Sequence, residues 1–228
     1  MPHDPPVISE AAADNAGWCA SMCRAHDIET SNDGRVWRGA VRTPLYYPDA
    51  VTLVPGLSAE EVLTGIDTSP GCSVKDSFAD LDLSAHGFKV LFEAEWIARP
   101  ADGPVPERND LAWQDIRTPE ALTAWEEGWS GGDATGLFAP ALLDDGSVLV
   151  IGGRDGDGVV RAGAVLSSAG DAIGVSNLFG DAWPAVLDTA HVLFTDETLV
   201  GYESGDDLDA ALAVGFRSLG PLRVWLRA

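Results

Sequence analysis

The sequence predicts an α+β (mixed α/β) fold, a mostly antiparallel sheet flanked by helices, and three observations predict it. Three apolar runs, SVLVIGGRD, GVVRAGAVLSS and AIGVSNLF, follow one another between residues 147 and 179. DGDG and AGD separate them, and Gly and Asp supply the positive φ that hairpin turns need. Helix-start signals stand on both sides of this meander: Thr118 with Pro119 and Glu120 before it, Asp181 after it. Finally RPADGPVPERND, residues 99–110, carries three prolines between two structured blocks and reads as a semi-rigid linker holding neighbouring domains apart.

In chain order, AAADNAGWCASMCRAHD reads as a helix by composition, and AVTLVPG as a Val-rich strand closed by Pro and Gly. SAEEVLTGID is a second helix, with Ser58 and Glu61 forming an S-x-x-E capping box. GFKVLFEAEWIA is a strand. Beyond the linker, LAWQDIR is a strand and TPEALTAWEEGW a helix, followed by the meander. DAWPAVLDTAHVLF is a helix with Asp181 as its N-cap, TLVGYE a short strand, and GDDLDAALA a helix whose aspartates favour its positive end. A last strand ends the chain.

Composition narrows the function. The chain has 228 residues, 46% hydrophobic, with eight tryptophans, enough to bury a real core. No apolar run approaches the roughly 18 residues of a membrane helix, and MPHDPPVISE is acidic and Pro-rich, unlike a secretory signal. A cytoplasmic protein is expected. Cys19, Cys23 and Cys72 are too few and odd in number for a disulfide framework. The net charge of −22 repels nucleic acid and anionic membranes and attracts a cationic small molecule or basic peptide; solubility alone also explains such a charge.

Residues 76–99, DSFADLDLSAHGFKVLFEAEWIAR, echo residues 203–227, ESGDDLDAALAVGFRSLGPLRVWLR. Each has an acidic start, a Leu-Asp pair, a Gly-Phe turn and a strand running to Trp and Arg, which suggests two related halves. The order strand, helix, meander, helix, strand, helix, Gly-Phe resembles the GCN5-related N-acetyltransferases. The resemblance covers 111–228 well and the first block in part, and the chain is similar to acetyltransferase-like proteins of high-GC bacteria. It implies an incomplete copy of that fold at 1–98, the linker at 99–110 and a fuller copy at 111–228. It further implies acetyl-CoA or another acyl-CoA as cofactor and a small-molecule or peptide amine, cationic by charge, as acceptor. A homodimer is also expected.

Family members hold the coenzyme pyrophosphate on a Q/R-x-x-G-x-G/A loop at a helix N-terminus. The matching place here is NLFGDAWPA, which offers Asn177, Leu178 and Gly180 as cofactor-binding candidates. It has no Arg or Gln, a carboxylate expected to cap the helix at Asp181, and Pro184. The family's general-acid tyrosine falls at Ala211, and at Leu83 in the echo. The remaining catalytic candidates are Tyr202 and Glu203, the latter as a base for an amine. These departures leave two readings open: an acyltransferase, or a non-catalytic protein that keeps the scaffold for ligand binding or assembly.

Other groupings carry less. Cys19, Cys23 and His26 share one helix face, but Trp18, Met22 and Ala25 trace an adjacent apolar stripe, and no metal is expected. A hydrolase on Cys72 with His86 lacks the strained nucleophile turn. His191 sits in an apolar helix run. IGGRDGDG is a strand-to-strand turn without the lysine of a phosphate loop, and the aspartates at 206–209 lack the spacing of a calcium loop.

Overall fold

The computed structural model describes residues 7–228, so most of the Pro-rich leader MPHDPPVISE lies outside the described residues. The elements are α1 (Ile8–Ala25), β1 (Thr30–Asn32), β2 (Val36–Gly39), β3 (Ala50–Thr52), α2 (Ala59–Leu63), β4 (Ser73–Asp76), β5 (Phe88–Pro100), β6 (Ala112–Asp115), α3 (Pro119–Ser130), β7 (Val148–Arg154), β8 (Val160–Ser167), β9 (Ile173–Phe179), α4 (Trp183–Leu193), β10 (Thr198–Glu203), α5 (Gly205–Ala213) and β11 (Arg217–Arg227). Short 3-10 turns occupy Ser84–His86 and Pro140–Asp144. The strands form one sheet in the order β1-β2-β3-β4-β11-β5-β10-β9-β8-β7-β6. Among the described residues only β3·β4 and β9·β10 are parallel.

Local signals in the sequence account for several of these elements. The Ser58 hydroxyl accepts from the Glu61 N–H while the Glu61 carboxylate accepts from the Ser58 N–H at 2.9 Å, so two of the orphan donors at the start of α2 are satisfied reciprocally. Thr118 caps α3 through the Ala121 N–H at 3.2 Å, and Pro119 sits where its missing donor costs nothing. The meander β7–β8–β9 is antiparallel throughout, its first turn closed by the Gly158 N–H on the Asp155 carbonyl at 2.9 Å.

The centre of the sheet is crossed. β5 lies between β10 and β11, and β11 lies between β4 and β5. Each of the two strands that end the echoed segments therefore borders a strand from the other half of the sequence. The Gly-Phe turns that launch them match in conformation, with Gly87 at φ +82 and Gly215 at φ +96. The two blocks consequently share one sheet. The 99–110 stretch does not hold them apart: Arg99 and Pro100 complete β5, and the rest lies along the fold. Arg99 donates to the carbonyls of Val214 and Pro104, Arg108 pairs with Asp188 on α4, and Asn109 Nδ2 donates to the Asp181 carbonyl at 2.7 Å.

Helices cover both faces. On one, α1, α3 and the 140–144 turn bury Trp18, Met22, Trp96, Trp125, Phe138 and Val200 in a common core. On the other, α4 and α5 cover Ile97, Leu166, Leu199 and Phe216, while α2 covers Val36, Val74 and Trp225 in a smaller cluster. α1 touches β1–β3 and also β8–β10, so it bridges the two halves. Trp125 pins α3 to the sheet. Its Nε1–H donates to the Ile151 carbonyl at 2.8 Å, and its ring meets Phe138 and Phe179 edge-on at 4.9 and 5.3 Å. Gly163 makes this possible, because a Cβ there would collide with both the Trp125 and Phe179 rings.

Candidate functional site

The parallel pair β9·β10 is short. Leu199 faces Ile173 and Val200 faces Gly174, and the register ends there although both strands continue. On its other side β9 slips against β8, where the four residues from Ser176 to Phe179 lie opposite the three from Gly163 to Val165. This bulge contains Asn177 in the left-handed region at φ +52, an uncommon conformation for a non-glycine residue. Beyond Val200 and Gly174 the two strands are no longer paired, which leaves a gap in their ladder beside Asn177. At its end Gly180, at φ +62, turns the chain into α4; a side chain there would strike the Arg161 carbonyl.

The start of α4 differs from the sequence expectation. Ala182, not Asp181, is the N-cap residue, and no side chain caps the helix. The left-handed turn at Gly180 sets the start one residue later than the Asp signal implies. Asn109 from the linker meanwhile engages Asp181 at both its carbonyl and its carboxylate. The carboxylate that was expected to occupy the first-turn N–H groups of α4 does not do so.

Around the gap stand residues from both blocks. Asn177 Oδ1 accepts from the Tyr47 hydroxyl at 3.3 Å. Tyr47 is buried edge-on to Trp18 at 6.0 Å, and burial holds its phenol well above its ordinary range. Tyr202 packs edge-on to Trp96 at 5.5 Å, with Lys75 Nζ 4.0 Å from the centre of its ring. Lys75 is itself only 3% exposed and donates to Asn15 Oδ1 on α1 at 2.7 Å. A buried ammonium is costly unless it is compensated; an amide oxygen and two aromatic faces, Tyr202 and Trp96, supply the compensation.

Glu203 follows Tyr202 and points to the opposite face, as strand alternation requires. Burial pushes its carboxyl up to about 7, and the negative charge of Asp207 on α5 adds to the rise. A carboxyl poised near neutrality can both take and give a proton. Tyr202 and Glu203, adjacent in sequence, are thus separated by the sheet. Tyr202 and Asn177 lie on the Tyr47 side, whereas Leu178 packs beside the α4–α5 core and Gly180 forms the turn.

The other singled-out residues have structural surroundings. Ala211 and Leu83, at the family's tyrosine position, are fully buried. His26 Nε2 lies 2.7 Å from the Leu137 carbonyl. Cys19 and Cys23 are buried, and burial raises their thiols to about 11 and about 12. Cys72 is buried beside Arg42 and Asp49, which salt-bridge at 2.7 Å, and His86 is exposed in its turn. Among the described residues no group of three or more His, Cys, Asp or Glu is arranged to hold a metal ion, and no helix is long and apolar enough to cross a membrane. Sequence reading missed Tyr47, Asn15 and Lys75. The one available signal was that Lys75 is one of only two lysines in the chain.

The fold is that of the GCN5-related N-acetyltransferases. A GCN5-related N-acetyltransferase from Kribbella flavida superposes with a TM-score of 0.67 at 13% identity, covering 98% of this chain and 96% of that one. A putative acetyltransferase of the GNAT family from Novosphingobium aromaticivorans gives 0.56 at 15% identity, over 95% and 99%. A conserved protein of unknown function from Staphylococcus epidermidis gives 0.61 at 9% identity, over 88% and 94%. No family model matches the chain, and no curated protein matches its sequence.

Proposed function

We propose that the protein is an acyltransferase that binds an acyl-CoA in the gap between β9 and β10 and passes the acyl group to an amine. The observation that carries this is the early end of the β9·β10 pairing at Val200 and Gly174, coupled to the bulge at Asn177. It frees backbone donors and acceptors on β9 that an amide-bearing arm can satisfy in place of a neighbouring strand. The first turn of α4, without a side-chain cap, leaves N–H groups and the positive helix end facing the same region, which suits a pyrophosphate. Asp181 and the lack of an arginine within NLFGDAWPA weaken that end, so most of the grip would come from Ser176–Leu178, Gly180 and the α4 backbone. The coenzyme would supply an activated thioester.

The chain's own residues would do the rest. Glu203 is the group that takes the proton from the amine, since its carboxyl titrates near neutrality. Tyr202 and Asn177, held by Trp96, Lys75 and Tyr47, set the wall on the opposite side of the sheet. Holding amine and thioester together supplies much of the rate in such a reaction. The charge of −22 favours a cationic amine, whether small molecule or peptide. Residues 1–98 act in this reading as an incomplete copy of the fold that lends β5 and α1 to a fuller copy at 111–228. The crossed order of β4, β11, β5 and β10 supports it.

Calorimetric titration with acetyl-CoA tests the proposal. One site per chain with micromolar dissociation is expected, and Gly180→Ala should weaken it. Absence of heat at millimolar coenzyme, with a correctly folded protein, refutes it.

A further inference from the structure

The contact between α1 and the β8–β9 hairpin contains a buried acid with no place in the reaction. α1 comes unusually close to this hairpin: a Cβ at Gly17 would collide with the Ala169 Cβ. One turn earlier Asp14 reaches in the other direction. Its Oδ2 fills the space that a Cβ on Gly174 would need, with Ser167 Oγ 2.6 Å from the same point. Asp14 is 3% exposed, yet its Oδ1 has no hydrogen-bond partner. Gly174 is the β9 residue opposite Val200 in the last pair before β9 and β10 part. The acid is therefore wedged against the root of the gap.

We infer that Asp14 is a protonation-dependent latch: as the neutral acid it holds α1 on the β8–β9 hairpin, and raising the pH favours release of α1 from the root of the gap. An ionised carboxylate in that wedge would keep a charged oxygen away from water with nothing to neutralise it, whereas a protonated one would not. Burial pushes the carboxyl up to about 7 against the lowering effect of the Ala169 and Gly174 N–H groups and of Ser167.

The neighbours do not reverse the sign. Cys19, one turn along α1, stays a neutral thiol. From β4, Lys75 is the nearby cation, but its ammonium is engaged by Asn15 and the Tyr202 ring. Tyr47 from the 40–49 loop adjoins Cys19 and Tyr202 and meets β9 only at Asn177, beyond Gly174, and neither tyrosine acts on Asp14. The hairpin itself presents only Ser167 and backbone N–H groups to Asp14. Once α1 lifts, the carboxyl regains water and its ordinary range. The opening equilibrium therefore rises about tenfold per pH unit up to about 7 and levels off above it.

Hydrogen–deuterium exchange of the full chain without ligand reads the latch directly. After correction for intrinsic exchange, peptides covering 8–25 and 167–176 should open about tenfold more at pH 8 than at pH 6 in the wild type, and equally at both in Asp14→Asn. A pH response of the same size in Asp14→Asn, or none in the wild type, overturns the latch. Should Asp14→Asn fail to fold, carboxyl-carbon NMR titration of the wild type decides: an Asp14 midpoint below about 5 overturns it. The link to ligand rests on the acyl-CoA reading and is measured separately. Acetyl-CoA affinity should change between pH 6 and pH 8 in the wild type and stay level in Asp14→Asn. If neither protein binds, that reading fails while the exchange data still judge the latch.

Discussion

Replacing Glu203 with Gln removes the carboxyl on β10 that burial pushes up to about 7, and its effect can be worked out from that midpoint. With a midpoint at about 7, the basic form makes up roughly 9% of Glu203 at pH 6 and roughly 91% at pH 8. If the carboxylate is the base, kcat/KM should climb about tenfold across that interval; a carboxyl in its ordinary range near 4.3 would change by only a few per cent. Glu203→Gln should cost on the order of 100-fold or more in kcat and flatten the limb, with acetyl-CoA affinity within about twofold of wild type. Asp207→Asn should move the limb to lower pH, because the Asp207 charge contributes to the raised midpoint. The assay is thiol release from acetyl-CoA across a panel of amines from pH 5.5 to 9. A Gln variant with wild-type kcat, or a limb that neither substitution moves, would show that Glu203 is not the base.

Trp125→Ala should destabilise the fold by about 3–5 kcal/mol in urea titration, since it empties a fully buried site, orphans the Ile151 carbonyl and breaks two aromatic contacts; a loss below about 1 kcal/mol would refute this account of how α3 is held. Asp14→Asn should alter stability in a pH-dependent way. The folded carboxyl titrates at about 7 and the unfolded one near 3.9, so the wild type's contribution is complete below about pH 4, declines as pH rises and is exhausted above about 7, a swing of roughly 4 kcal/mol. Melting curves of the two proteins should therefore diverge between pH 4 and 7 in favour of the variant and run parallel above it. Lys75→Ala should cost about 2 kcal/mol or more by leaving Asn15 Oδ1 buried without its donor and Tyr202 without its cation; unchanged melting would show that the pair contributes nothing.

The meander, the caps at Ser58 and Thr118 and the Gly-Phe turns were legible because the signals are local. Residues that decide them lie within a few positions of one another, and periodicity or capping chemistry states the outcome. The crossing of β5 and β11 was not legible. Their apolar pattern suits any interior strand, and the pairing joins Glu93 to Arg223 across 130 positions. Asp181 misled for the same reason, since Asn109 and the Gly180 turn, not its own neighbours, fix where α4 begins. At the site, alternation along TLVGYE already separates Tyr202 from Glu203, and that much could be read. Asp14, Asn15, Tyr47 and Lys75 belong to three separate elements of the first block, and only tertiary packing brings them to β9 and β10.

The crossed strands also make the two portions of the chain reciprocal keepers of each other. A nick in the 101–108 stretch would leave one fragment ending in a strand whose neighbours, β10 and β11, lie on the second fragment, and a second fragment whose last strand needs β4 and β5 from the first. Neither piece alone completes its sheet, yet together they hold every ladder. Co-expressed halves are accordingly expected to reassemble without a covalent link, which makes this architecture a natural split protein, its association driven by backbone pairing as well as by apolar burial.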